Sequence, residues 1–290
     1  MKILIKLLLI AILSVSFSSC GVKKVYTSAS YGSLKSYTEK PIYNGKKETS
    51  TYVSGSFSNI NHPQNNENDD KATMGNFSIY RTTTDKKLNY YYGLGGSFGN
   101  YQFKSDLSNL DNSANYLSEN DKLDFYNINL KAGVNLTKTW KKFEYSIVGM
   151  EFIYVNEFGS YIDKLSDLPQ ISDVIIVDEK SIFAFNLNTE ITFRINKDNN
   201  IGYGMFFGDV LFLDKEKTQN KTQNESAPFY GFLLKYNYKN FTLSLINESS
   251  ARSIKSIRFG ITYRLLNKSK KVKENTKKKR STTINKNNNG

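Results

Sequence analysis

Ten segments of this chain alternate between apolar and polar residues, and this period of two constrains the fold more than any other feature. In residues 124–136, "DFYNINLKAGVNL", the even-numbered positions from Tyr126 to Val134 are apolar, and the odd-numbered positions from Asn127 to Asn135 are Asn, Lys or Gly. Side chains alternate between two faces of a strand, whereas in a helix the same positions would scatter around the axis. The predicted strands are 49–58, 72–82, 88–101, 122–136, 143–157, 181–195, 201–213, 228–238, 241–247 and 254–266.

The connections between these strands alternate in length. Long connections, such as "NINHPQNNENDDK" (59–71) and residues 102–121, 158–180 and 214–227, are separated by short turns, such as "TTTDKK", "TKTWKK", "NKDNN" and "YKN". This arrangement resembles that of bacterial outer-membrane barrels, which have short turns at the periplasmic end and longer loops outside. The last predicted strand, "RFGITYRL", also resembles the terminal strand of these barrels, which the barrel assembly machinery reads.

The resemblance implies an all-β fold, an antiparallel up-and-down transmembrane β-barrel of about ten strands over residues 49–266. The first and ninth strands, "STYVSGSFS" and "FTLSLIN", alternate less regularly, so eight strands is the fallback. The expected location is the outer membrane of a Gram-negative bacterium.

The first 20 residues, "MKILIKLLLIAILSVSFSSC", read as a secretory leader, with Lys2 and Lys6 ahead of an apolar run. "FSSCG" resembles a lipobox, which implies that residues 1–19 are removed and that Cys20 carries diacylglycerol and an acyl chain such as palmitate. The alternative is cleavage after Ser18, which leaves Cys20 as a free thiol.

The position of both termini follows from the strand count. An even number of strands returns the two ends of the barrel to the periplasmic side, where the lipid on Cys20 would insert. Residues 20–48 are then expected to form an N-terminal linker or to fold against the barrel floor.

The net charge of +13 is concentrated at the C-terminus. Residues 267–290 contain nine Lys and Arg and one Glu, which gives +8, and the leader adds two more. The body is therefore close to neutral, which argues against a nucleic-acid partner. Charged blocks of this kind are usually solvated, so the tail is predicted to be disordered and to contact anionic lipid or cell-wall polymer.

Several charged residues fall on the polar face of the predicted strands and are expected to point into the lumen. Charges inside a narrow barrel must be paired or hydrated, so these residues predict a lumen plugged by a polar network. A narrow conducting pore is the alternative. The residues are Lys131, Glu151, Glu190, Arg194, Lys235, Arg258 and Arg264. Aromatic girdles at the membrane interface are expected outside, at Tyr90, Tyr92, Trp140 and Tyr154.

No catalytic, cofactor or metal site is predicted, so the chain is not expected to be an enzyme. The only histidine, His62, lies beside Pro63 in an Asn-rich loop, and one Cys with one His cannot build a zinc site. "NENDD" (66–70) is expected to be a solvated acidic loop. "GLGGSFG" (93–99) lies within a strand and breaks the register of a phosphate-binding motif.

Three functions remain open at this point. The first is an outer-membrane barrel lipoprotein with a structural or adhesive role through its long loops. The second is a narrow channel or transporter for small polar solutes or ions. The third is a lipid-anchored soluble β domain in the periplasm that binds a ligand.

Overall fold

The computed structural model describes residues 24–43, 46–62, 69–104, 121–168, 174–196, 198–211, 227–250 and 254–270. Ten strands form a closed barrel. A three-residue strand that precedes the barrel in the sequence pairs with a second three-residue strand in one of the barrel's connections, and a short helix lies in that same connection. The elements are β1 (Lys24–Tyr26), β2 (Lys47–His62), β3 (Asp70–Asp85), β4 (Leu88–Gln102), β5 (Lys122–Thr139), β6 (Phe143–Phe158), α1 (Ser160–Asp167), β7 (Val174–Ile176), β8 (Ser181–Arg194), β9 (Asn199–Val210), β10 (Phe229–Tyr238), β11 (Phe241–Ser250) and β12 (Lys255–Lys270).

The barrel is antiparallel throughout, and each barrel strand pairs with the next one along the chain. Pairing of β12 with β2 closes it, from Lys255 beside Asn61 to Lys270 beside Lys47. The predicted up-and-down barrel of ten strands is confirmed, and the eight-stranded fallback is wrong. β12 continues to Lys270, four residues into the segment predicted as a disordered tail, and residues 271–290 lie outside the described part of the chain.

The two ends of the barrel differ, as the connection lengths predicted. Tight connections between β3 and β4, β5 and β6, β8 and β9, and β10 and β11 share one end, called the turn end below. The remaining connections share the other end, called the long-loop end. At the turn end Lys86 and Lys239 adopt positive φ angles of 52° and 54°, the conformation that tight hairpin turns require.

The outer face of the barrel is covered with large apolar side chains. Phe77, Ile128 and Phe259 are 60%, 56% and 61% exposed, and similar residues occupy the outward positions of all ten barrel strands. A continuous apolar surface of this kind fits lipid and not water. It therefore disfavours the alternative of a soluble β domain. Of the described residues, none belongs to a helix long and apolar enough to cross a membrane.

Three of the four aromatic residues predicted for the interface girdles project outward near the turn end. Tyr90, Tyr92 and Trp140 are 41%, 55% and 47% exposed, whereas Tyr154, which pairs with Phe183 toward the long-loop end, is half-buried. The Nζ of Lys138 lies 5.0 Å from the centre of the Trp140 ring. Trp and a basic side chain together are typical of the boundary between hydrocarbon and headgroups.

Trp140 is the only tryptophan, so its fluorescence reports this position alone. In lipid vesicles we expect lipids brominated near the headgroup to quench it more than lipids brominated at the chain ends, because the residue lies at the turn end. Quenching by neither set would show that the barrel surface does not contact the membrane.

Candidate functional site

The lumen contains a segment of the chain that precedes the barrel. Residues 26–43, called the threaded segment below, run through the inside of the wall. From 26 to 41 every residue except Ser36 and Thr38 is buried. This burial is achieved without regular secondary structure beyond Tyr26, so the wall must satisfy much of the segment's hydrogen bonding.

The threaded segment crosses the whole height of the barrel. At the long-loop end the hydroxyl of Tyr161, in α1, donates to the carbonyl oxygen of Thr27 at 2.7 Å. At the turn end the amide of Tyr43 donates to Glu144 at 3.2 Å, and Arg194 donates to the Tyr43 carbonyl oxygen at 3.2 Å. Glu144 lies near the start of β6, at the turn end, so the chain passes from one end of the lumen to the other.

This path differs from the linker expected for residues 20–48. Lys24 pairs with Val174 at the long-loop end, whereas Lys47 begins β2 at the turn end. An even number of wall strands places the first and last strands' outer ends at the same end of the barrel, but it does not determine the path of the residues that precede β2. Because these residues pass once through the lumen, they begin at the long-loop end and not at the turn end. Cys20 itself lies outside the described residues.

A buried carboxylate holds the first part of the threaded segment. Glu157 accepts hydrogen bonds from the Ser28 hydroxyl at 2.7 Å, the Ala29 amide at 3.0 Å, and the amide and hydroxyl of Ser30 at 2.9 and 2.5 Å. Asn127 also donates to the Ser30 hydroxyl at 2.7 Å. A carboxylate with several donors is well satisfied without water, and it fixes the direction of the backbone at residues 28–30.

One acidic and one basic side chain of the wall bind the backbone of the threaded segment in the middle of the lumen. The guanidinium of Arg258 donates to the carbonyl oxygens of Ser33 and Lys35. Glu248 accepts from the amides of Leu34 and Lys35 at 3.1 and 2.9 Å. The wall thus satisfies both kinds of backbone group over three consecutive residues, as a neighbouring strand would.

Lys35 also makes an ion pair with the wall. Its ammonium lies 2.5 Å from Glu151, whose carboxylate is fully buried and also accepts from the Tyr91 hydroxyl. Beside it, Lys131 donates to the Ser36 hydroxyl at 2.9 Å. A buried pair of this kind tolerates poorly the removal of one partner, because the other charge is left without compensation.

A second charged cluster lies closer to the turn end. Lys235 is 2.6 Å from Glu190 and 3.9 Å from Glu39 of the threaded segment, and Lys40 is 3.8 Å from Glu190. The Thr242 hydroxyl donates to Glu39 at 2.9 Å. Two wall charges and two segment charges therefore alternate in sign within one buried network.

The seven charged residues singled out from the sequence lie as follows. Six contact the threaded segment, namely Lys131, Glu151, Glu190, Arg194, Lys235 and Arg258. The seventh, Arg264, lies 3.5 Å from Glu48 at the turn end. Sequence reasoning missed three wall carboxylates that also bind the segment, which are Glu144, Glu157 and Glu248.

Little free space remains around residues 30–38 of the segment. Two cavities of about 40 and 30 Å³ lie beside it, each with room for only one or a few water molecules. A larger polar cavity of about 470 Å³ lies at the turn end, where Lys40, Arg194 and Arg264 contribute to its lining.

An aromatic cluster covers the segment at the long-loop end. Tyr101 stacks on Tyr161 with ring centres 4.2 Å apart, and Phe103 lies 5.9 Å from Tyr26. His62 ends β2 and packs against Tyr101 at 5.0 Å, so it lies in this cluster and not in a loop. Burial raises the pKa of the Tyr161 hydroxyl well above its usual range, which keeps it protonated as the donor to Thr27.

The acidic run 66–70 includes the first residue of β3. Asp70 is buried, and its carboxylate accepts from the Tyr101 hydroxyl at 3.1 Å and from the Lys104 amide at 2.7 Å. The prediction of a solvated loop is therefore wrong for Asp70, because it begins a strand under the aromatic cluster. Residues 66–68 lie outside the described part. Among the described residues no group of three His, Cys, Asp or Glu is placed to hold a metal ion.

Gly133 gives the Tyr91 ring room to reach Glu151. A β-carbon at Gly133 would lie 2.4 Å from the ring and its hydroxyl, and 2.7 Å from the Met150 carbonyl oxygen. We expect Gly133→Ala to lower the free energy of unfolding by about 1–3 kcal/mol, the usual cost of overpacking. Gly55→Ala is the matched control, since its nearest atom would be 4.0 Å away. Equal urea midpoints for the two variants would contradict this packing.

No protein-family model and no curated protein matches the sequence. Similar solved structures include an outer membrane channel from Pseudomonas putida F1, 9% identical, which covers 78% of this chain and 97% of that one at a TM-score of 0.40. The translocator domain of the autotransporter NalP from Neisseria meningitidis is 8% identical and covers 76% and 89% at 0.38. Both TM-scores lie below 0.5.

Proposed function

We propose that this chain is an outer-membrane barrel lipoprotein whose lumen is closed by its own threaded segment, with a structural or interaction role at the long-loop end. One observation carries the proposal. Wall charges bind the threaded segment along the whole height of the barrel, from Glu157 at one end to Glu144 at the other.

The charges of the lumen support a closed barrel over a channel. A conducting pore keeps its charged side chains hydrated so that solutes can exchange with them. Here Glu151, Lys235 and Arg258 are 0%, 3% and 4% exposed, and their partners are residues of the same chain. The threaded segment occupies the space that a solute would need.

The membrane location and the anchor rest on different features. The apolar outer face and the aromatic residues at the turn end favour a lipid environment. The leader and "FSSCG" favour export and acylation at Cys20, with outer-membrane lipids and the barrel assembly machinery as partners. The nine basic residues of 267–290 favour contact with anionic lipid or cell-wall polymer.

A role without catalysis is consistent with the surroundings of the one histidine. His62 is buried against Tyr101, away from solvent, and a general base needs access to a substrate proton.

Conductance in planar bilayers tests the closed lumen. We expect the purified full-length protein to be electrically silent after insertion, which the quenching of Trp140 verifies independently. A variant lacking residues 24–43 serves as the control, because its emptied lumen should give resolvable current steps. Current steps from the unaltered protein would overturn the proposal and favour a narrow channel.

A further inference from the structure

We propose that the mature chain begins on the outer side of the membrane, so that the acyl group on Cys20 inserts in the outer leaflet, opposite the C-terminal tail. This inference rests on the proposed function, which supplies the outer membrane and the acylated Cys20. It reverses the orientation that the even number of strands suggests for the N-terminus.

The short strand β1 lies at the long-loop end of the barrel. Lys24–Tyr26 pairs in parallel with Val174–Ile176, which lies in the connection between β6 and β8 at the long-loop end. The amide of Val177 donates to the Tyr26 carbonyl oxygen at 2.8 Å and extends this pairing. The chain therefore lies among the long loops just before it enters the lumen.

The chain between Cys20 and β1 is short. Cys20 lies four positions before Lys24, and a fully extended chain spans at most ~3.6 Å per position, or about 14 Å. From Glu157 to Glu144 the wall strand β6 runs for 13 residues. At ~3.3 Å per residue and a tilt of ~45°, this is about 30 Å along the barrel axis. Cys20 therefore cannot reach the turn end.

The lengths of the connections orient the barrel in the membrane. Outer-membrane barrels place their short turns in the periplasm and their longer loops outside. Lys24 shares the long-loop end, and the end of β12 shares the turn end. The lipid and the basic tail thus lie on opposite sides of one membrane, and the chain between them fills the barrel.

This path also constrains assembly. A diacylated N-terminus cannot be drawn past the middle of the lumen, where the cavities beside the threaded segment are about 40 and 30 Å³. The threaded segment must then be in position before β12 pairs with β2 and closes the wall. The acyl chains of Cys20 then contact the lipids of the outer leaflet.

Epitope labelling on intact cells tests the inference. Three variants carry a short epitope, one between Gly21 and Val22, one between Thr222 and Gln223 in the connection from β9 to β10, and one after Gly290. Antibody that cannot cross the outer membrane should label the first two on intact cells, and the third only after permeabilisation. Gel mobility with and without boiling verifies that each variant is a folded barrel.

The outcomes separate the inference from the proposed function. If the loop epitope is labelled on intact cells but the epitope after Gly21 requires permeabilisation, the inference is wrong and the barrel orientation stands. If the loop epitope is hidden and the epitope after Gly290 is labelled, the proposed orientation fails as well.

A second measurement uses the unaltered protein. Trypsin added to intact cells should cut after Lys23 and release the short acylated peptide from the barrel, while the nine basic residues of 267–290 stay uncut. The tail is the internal control, because it offers more cleavage sites than any other part of similar length. Cleavage confined to the tail would overturn the inference.

Discussion

Replacing Glu151 with Ala lowers the free energy of unfolding by about 3–5 kcal/mol, the usual effect of removing one partner from a buried ion pair. Glu151 is fully buried, and the side chain of Lys35 is 9% exposed, so solvent does little to compensate the ammonium that remains. The hydroxyl of Tyr91 loses its acceptor at the same time. The expected loss is a large fraction of the stability of most domains.

A double variant separates the ion pair from simple loss of packing. In K35M/E151M both charges of the pair are replaced by an apolar side chain of similar length, so neither member is left facing a missing partner. We expect its urea midpoint to be much closer to that of the unaltered protein than the sum of the single variants predicts. Additive losses, or a loss below about 1 kcal/mol for Glu151→Ala, would show that Lys35 does not lie in the lumen.

Replacing Glu157 with Ala loosens the threaded segment at the long-loop end. The carboxylate accepts four hydrogen bonds from residues 28–30, and a hydrogen bond to a charged group contributes about 1.5–3 kcal/mol. Losing even ~3 kcal/mol raises the released fraction about 100-fold. We expect trypsin to cut the purified variant after Lys35 and Lys40 about 100 times faster, since both lysines are buried while the segment is bound.

Asp163→Asn is the control for the loss of one acidic group at the same end. Asp163 pairs with Lys180 at 2.8 Å on the surface, where both side chains are more than half exposed. Its removal should leave cleavage at Lys35 and Lys40 unchanged. If Glu157→Ala also leaves the cleavage rate unchanged, Glu157 does not hold the segment.

The wall was predictable because each strand has one face toward lipid and one toward the lumen. Residues such as Tyr126 and Ile128 had to be apolar on the lipid side, and Asn127 and Lys131 could be polar on the other. That requirement repeats along every strand, so the sequence shows it without knowledge of distant contacts. The connection lengths then separated the turn end from the long-loop end.

Two missed wall carboxylates have local causes. In β6 the pairing with β8 shifts between Ser146 and Gly149, so that Ile147 and Val148 both face lipid. Because of this shift Glu144 faces the lumen, although regular alternation continued back from Glu151 would place it on the outer face. Glu248 follows the alternation of β11, but the predicted strand ended at residue 247, one position too early.

The threaded segment could not be predicted from local pattern. Residues 26–43 have no period of two, and polar contacts with residues far along the chain hold them. Ser28 binds Glu157 across 129 positions, and Leu34 binds Glu248 across 214. One signal was present in the sequence. The inward faces carry several carboxylates, and the chain just after the leader offers Lys35 and Lys40.

A pair of engineered disulfides tests the path of the threaded segment most directly. The hydroxyl oxygens of Ser33 and Ser58 lie 3.0 Å apart, so S33C/S58C brings two thiols within bonding range. Ser50 is buried on the same inner face of β2, eight residues or about 26 Å closer to the turn end. The control S33C/S50C therefore changes only the height along the barrel. After mild oxidation in membranes, mass spectrometry should find the bond between residues 33 and 58 and none between 33 and 50. A disulfide in S33C/S50C would contradict a segment that crosses the lumen from the long-loop end, and so would the absence of a disulfide from both variants.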